Sequence, residues 1–132
     1  MKIIASQSGD FRRSGGKEVM EALLKKHGNE INAVYAHNDD MALGAIQAIE
    51  EAGKKPGGDI VVVSIDGVKG AFEAMVAGKL NCTVECNPLL GPLAFDAVEK
   101  SIKGEKLPKN AVVPDKVYEQ STARNVIASR KY

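Results

Sequence analysis

The chain has 132 residues, of which 44% are hydrophobic and 27% charged, and 18 basic against 17 acidic side chains leave it at +1. That is one globular domain's worth, long enough to bury a core of its own. The balance excludes the concentrated basic surface that phosphate backbones require, so nucleic acid is not expected as a partner, and no apolar run approaches the ~20 residues of a membrane span. Met1-Lys2 leads straight into a strand-like segment with no signal-peptide pattern. The chain therefore reads as cytosolic, or as the mature part or a fragment of something exported.

Lys2 to Ser6 (KIIAS) is a short apolar run that predicts a strand. After the loop Ser8-Gly9-Asp10, a helix is expected from Asp10 or as late as Ser14, with Val19, Met20, Leu23 and Leu24 on its inner face and Gly28 as its stop. Ala33 to Ala36 predicts a strand, and Asp39 to Ala52 a helix burying Met41, Ala42, Ala45, Ile46 and Ile49. Ile60 to Ile65 is a β-branched run interrupted only by Ser64, as suits a parallel strand covered on both faces. Val68 to Ala77 is a short helix, with Phe72, Met75 and Val76 inward. Leu80 to Cys86 is a strand, and a helix from about Gly91-Pro92 to Lys103 follows, since Pro92 is tolerated only near a helix start. Val112 to Glu119, flanked by Pro108 and Pro114, predicts an edge or crossing strand. Ser121 to Tyr132 has no clear period and reads as a tail, leaving residues 1–120 as the folded part.

This alternation predicts an α/β fold: a doubly wound, three-layer parallel sheet with right-handed crossovers. Ligands of such sheets bind beyond the carboxyl ends of the strands. The residues expected there are Ser8 to Phe11, His37 to Asp40, Asp66-Gly67 and Cys86-Asn87. Asn38 offers a donor and an acceptor, Asp66 a two-oxygen acceptor, and Phe11 an apolar ring face. An amide, a carboxylate and a ring suit a sugar, whose hydroxyls bind the polar groups while its C–H face stacks. Each has a structural alternative. Asn38 can cap the helix, Asp39 and Asp40 can serve its N-terminal dipole, Asp66 can belong to a turn, and Phe11 can belong to the core.

Several chemistries find no support. Gly9 to Lys17 (GDFRRSGGK) lacks the phosphate-loop spacing and has Glu18 where Ser or Thr should stand. Asp39, Asp40 and Asp66 suggest an acidic metal pocket, but Cys86-Asn87-Pro88 supplies no lysine for phosphoacceptor chemistry. On an extended segment Cys82 and Cys86 would stand about 13 Å apart. A disulfide needs Cα atoms within ~7 Å, so free thiols are expected, and their spacing fits no zinc site. No nucleophile or cofactor loop is visible, so neither an enzyme nor a cofactor or metal is expected.

The stretches AVYAHNDDMALGAIQAIEEAGK (33–54), IVVVSIDG (60–67), AMVAGKLNCTVECNPLLGP (74–92) and SGDFRRSGGKEVMEALLKKH (8–27) together resemble the periplasmic sugar-binding proteins of ABC importers, of the ribose-binding type. CTVECNP and the closing RKY look most like the galactofuranose-binding branch. The resemblance implies a periplasmic-binding-protein type I lobe, flavodoxin-like and incomplete. It further implies a periplasmic protein of two lobes that closes on a monosaccharide by hinge motion and passes it to transporter membrane subunits. Asn38 and Asp66 then match the ligand-contacting amide and carboxylate, and Phe11 the lining aromatic. Cys86 stands where the family often has a polar residue such as Gln, with Asn87 as a substitute contact.

By the family's pattern one strand is absent between those matching residues 2–6 and 33–36. Either these two close up, or a second copy of the chain fills the slot, or the chain is part of a longer one. A rival reading is the effector-binding core of a LacI-like transcriptional repressor, with a DNA-binding segment upstream.

Overall fold

The computed structural model describes residues 2–132. Its elements run α1 Arg13–His27, β1 Ala33–Tyr35, α2 Asp39–Glu51, β2 Val61–Asp66, α3 Lys69–Val76, β3 Cys82–Glu85, α4 Gly91–Ile102, β4 Val117–Glu119 and α5 Gln120–Val126, with 3-10 turns at Gly28–Glu30 and Ile127–Ser129. The sheet order is β1-β2-β3-β4. β1, β2 and β3 are parallel, with Tyr35 opposite Val63 and Asp66 opposite Glu85. β4 runs antiparallel to β3. The alternating α/β class expected from the pattern is the class found, with β4 the one departure from the expected parallel sheet.

The pleat sorts the strand residues into two sets. Val62, Ser64, Thr83 and Glu85 are buried on one face, which α2, α3 and the carboxy-terminal segment cover. The opposite face carries Tyr35, Val61, Val84 and Val117, all exposed, with Val63 and Ile65 half-buried between them.

Each helix has a local cause. Asn38 caps α2 by accepting the Met41 N–H at 2.9 Å, and Asp39 and Asp40 fill the first turn. Ala42, Ala45, Ile46 and Ile49 then recur at helical spacing and are all buried. Gly28 ends α1 at φ 52°, its N–H returning to the Leu24 carbonyl. α1 lies so close on α2 that a Cβ on Gly44 would stand 2.0 Å from the Arg13 carbonyl oxygen, and one on Gly16 2.4 Å from that of Met41. The two glycines set the approach of the helices.

Several expectations need correction. Lys2 to Ser6 is not a strand: these residues pair with nothing, and Ile3 is 84% exposed. Without a neighbour to exchange hydrogen bonds with, an apolar segment cannot become one. The expectation that residues 2–6 and 33–36 close up therefore fails, and the outer edge of β1 stays open among the described residues. The helix expected to start between Asp10 and Ser14 starts at Arg13, with no side-chain cap on its first turn. Asp10 and Ser8 hydrogen-bond each other instead.

The strand expected over 112–119 shrinks to Val117–Glu119, an edge strand that starts only beyond Pro114. Residues 121–132, expected as a tail, form most of α5 and a 3-10 turn, and Ala123 joins the core. α4 forms as expected but buries none of its residues, leaving Leu93, Phe95, Val98 and Ile102 exposed. Ion pairs one turn apart, Asp96–Lys100 and Glu99–Lys103, line it.

Candidate functional site at the strand tips

β1 and β2 end side by side. Three residues beyond the last pair, Tyr35 and Val63, stand Asn38 on the first segment and Asp66 on the second, and this end of the sheet is the ledge. Phe11 joins them. Its backbone turns at φ 56°, its ring is 66% exposed, and its carbonyl accepts from Asn38 Nδ2 at 3.1 Å. Asn38 is thus fixed at both ends of its amide. One Nδ2 hydrogen and one Oδ1 lone pair remain for a ligand.

Asp66 closes β2 at φ 128°, a conformation that disfavours side chains. Burial pushes its carboxyl above the usual carboxylate range, and the charges of Asp39 and Asp40 push the same way; the Asp39 backbone N–H works against them. Its carboxylate therefore sits by the start of α2. The Asp66 carbonyl accepts from the Cys86 N–H at 3.0 Å, which ties the tip of β2 to that of β3. Both thiols are free, that of Cys86 on an exposed residue and that of Cys82 on a half-buried one. Asn87 spends its Oδ1 on the Leu89 N–H at 2.8 Å, and its own N–H goes to Asp115. Cys86 and Asn87 thus border the ledge at the third strand, the amide of Asn87 partly committed to its own turn.

Two groups under the ledge carry more than the sequence indicated. Asp39 is wholly buried and accepts from the Ser64 hydroxyl, the Thr83 hydroxyl at 2.8 Å and the Val68 N–H at 2.8 Å. It ties α2, β2, β3 and the start of α3 together. Arg130, 7% exposed, donates to Glu85 at 2.8 Å and to the Gly67 carbonyl at 2.6 Å. Its guanidinium lies against the rings of Phe72, Tyr118 and Tyr132. Burial disfavours the charge of Glu85, but the bonds from Arg130 and Tyr132 outweigh it and hold its pKa below the usual range. Asp40, by contrast, is an exposed partner of Arg13 at 2.7 Å.

Surface depressions lie elsewhere, one between α1 and α2 around Leu24 and Ala48, another beside α4 around Leu93 and Leu107. At the ledge Phe11 and Cys86 are exposed, and Asn38, Asp66 and Asn87 are half-buried. No cluster of three or more His, Cys, Asp or Glu suited to a metal occurs among the described residues, and none of their helices is long and apolar enough to cross a membrane.

Residues 1–106 match the model of the periplasmic binding protein domain, and the chain belongs to that family. It is 50% identical to the galactofuranose-binding protein YtfQ of Escherichia coli over 134 residues, covering 99% of this chain and 42% of that protein. It is 42% identical to the ribose import binding protein RbsB of Bacillus subtilis, over 91% of this chain and 38% of that protein. Among solved structures, a protein from Mycobacterium smegmatis in complex with β-D-fucofuranose is 51% identical and superposes with a TM-score of 0.92, over 99% of this chain and 43% of that one. The chain thus spans about two fifths of the length of these relatives.

The Glu85–Arg130 pair makes stability depend on pH. Because the folded-state pKa of Glu85 is depressed, its contribution is full above the ordinary Glu value of ~4.3 and is lost as pH falls through the folded-state value. Glu85→Gln, which strands a buried guanidinium, should lower the unfolding free energy by about 3 kcal/mol at neutral pH. Urea melts of both proteins should show that gap narrowing on acidification below pH ~4. A gap that stays constant would rule out the charge pair as its source.

Proposed function

We propose that this chain is the carboxy-terminal lobe of a periplasmic monosaccharide receptor that serves an ABC importer. The observation that carries the proposal is the pairing of Asn38 and Asp66 on adjacent parallel strand tips beside the exposed ring of Phe11. It occurs in a chain half identical to a galactofuranose-binding protein. In this reading Asp66 accepts two sugar hydroxyls, Asn38 spends its free hydrogen and lone pair on others, and Phe11 lies against the C–H face. Cys86 and Asn87 flank the sugar from the third strand. The ligand class is a sugar in the five-membered furanose form, which the galactofuranose-binding and fucofuranose-bound relatives support.

An open ledge supplies half of the desolvation and half of the hydrogen bonds of a closed site. Each polar contact to a hydrated sugar nets only about 1 kcal/mol. The 132-residue chain alone is therefore a weak binder, and tight binding belongs to the two-lobed protein. In that protein, calorimetric titration with L-arabinose, D-galactose, D-fucose and D-ribose should find a ligand, and Asp66→Ala should weaken it at least 100-fold. Binding needs the ionised carboxylate as acceptor. The raised pKa of Asp66 therefore makes affinity start to fall at a higher pH than an ordinary Asp would, ~3.9. Full affinity in Asp66→Ala would refute the assignment.

Among the described residues the outer edge of β1 pairs with no strand, and Tyr35, Val61, Val84 and Val117 are exposed on one sheet face. A strand of a second copy can occupy that edge. Light scattering on the isolated chain should then give twice the 14.0 kDa of one chain, and a soluble, folded species at the single-chain mass would rule the pairing out.

A further inference from the structure

The proposed site depends on Asp66 keeping an unfavourable backbone. At φ 128° it stands outside the regions that side chains ordinarily adopt, and Gly67 follows at φ 77°. Something must hold these residues there. The Gly67 N–H goes to the Thr83 hydroxyl at 3.2 Å, and the Val68 N–H goes to Asp39. The Asp66 carbonyl accepts from the Cys86 N–H at 3.0 Å, and two further bonds come from the carboxy terminus. The Gly67 carbonyl accepts from Arg130 at 2.6 Å, and the Lys69 N–H donates to the Tyr132 carbonyl at 2.7 Å.

Arg130 is itself fixed rather than free to follow the turn. Glu85, the residue opposite Asp66 in the β2–β3 ladder, takes one of its donors and the Tyr132 hydroxyl as well, both at 2.8 Å. The Phe72, Tyr118 and Tyr132 rings stand 4.4 to 5.2 Å from the guanidinium carbon. Its Nε is buried without a partner. The guanidinium is thus oriented by Glu85 and Gly67 rather than by the satisfaction of all its own donors.

We propose that Arg130 is a positioning residue for sugar binding: through the Gly67 carbonyl it holds the turn that aims the Asp66 carboxylate across the ledge. Its guanidinium makes its hydrogen bonds to Glu85, Tyr118 and the Gly67 carbonyl, not to the Asp66 carboxylate. The influences on that carboxyl are burial, the Asp39 N–H and the Asp39 and Asp40 charges. Arg130 therefore acts through the backbone, and a lysine, which lacks the planar fork, cannot replace it. The proposal rests on the reading above that Asp66 contacts the sugar.

A double-mutant cycle tests it in the full-length two-lobed protein. The probe is whichever of L-arabinose, D-galactose, D-fucose and D-ribose the unaltered protein binds most tightly, titrated by calorimetry. Arg130→Lys should raise Kd about 10-fold. In an Asp66→Asn background, itself weakened, the same substitution should change Kd less than 3-fold. A purely structural role would give equal changes in both backgrounds, whatever happens to the melting temperature of the sugar-free protein. Should Arg130→Lys not fold, Tyr132→Phe, which removes one bond to Glu85 and keeps the ring, is taken through the same cycle, and a smaller loss confined to the Asp66 background is expected. Equal losses in the two backgrounds, or none in either, overturn the positioning role alone. Unaltered affinity in Asp66→Asn, or no binding of any of the four sugars, overturns the reading of the site and this proposal with it.

Discussion

The carboxylate of Asp39 is the joint on which the lobe depends. It is completely buried at the first position of α2 and accepts hydrogen bonds from β2, β3 and the residue preceding α3. A buried charge is tolerated only when it is hydrogen-bonded on this scale. Taking it away would leave two hydroxyls and a backbone N–H to find new partners, at roughly 1–3 kcal/mol for each that fails. The exposed pairs elsewhere, such as Arg13–Asp40, are worth at most about 1 kcal/mol. Asp39 therefore outweighs the surface ion pairs, and it does so directly beneath the ledge. Asn38, one residue before it, inherits its position from the same helix start.

A buried ion pair braces the other side. Glu85 and Arg130 sit behind the turn that follows Asp66, among the aromatic rings of Phe72, Tyr118 and Tyr132. The stranded Nε of Arg130 and the positive φ of Asp66 are unfavourable features in contact with the same turn. Local strain of this kind, of order 1–3 kcal/mol, persists where surrounding structure over-determines it, and it concentrates at binding sites. The ledge is thus a shape imposed from beneath by long-range contacts. Asn38, bonded at both ends of its amide, has little freedom left to lose if a ligand binds, which is the thermodynamic advantage of preorganisation.

Much of the lobe was legible because its causes are local. The β-branched run before Asp66 marked the central strand, the glycines at 28, 53, 78 and 104 marked the ends of elements, and Asn38 marked a cap. That Asn38 and Asp66 lie at the ends of two neighbouring strands followed from the alternation of strands and helices. The departures arise where the cause lies far along the chain. Lys2 to Ser6 has the composition of a strand, but a strand exists only with a partner, and the described residues provide none. The last twelve residues show no period because their anchors are single long-range contacts, Arg130 and Tyr132 both to Glu85 some 45 residues away. Asp39 carried the right dipole reading and a further role that no spacing announces, since Ser64 and Thr83 become its neighbours only once the sheet has formed.

The central claim is that a sugar lies on the ledge that Asp39 and Arg130 hold from below. A crystal structure of the full-length protein grown with its best-binding pentose or hexose tests it most directly. The account predicts both Asp66 oxygens at about 2.7 Å from sugar hydroxyls, Asn38 on a neighbouring hydroxyl and the Phe11 ring against the sugar's C–H face. A sugar bound away from the tips of β1 and β2, or one bound there with Asp66 turned aside, would contradict it.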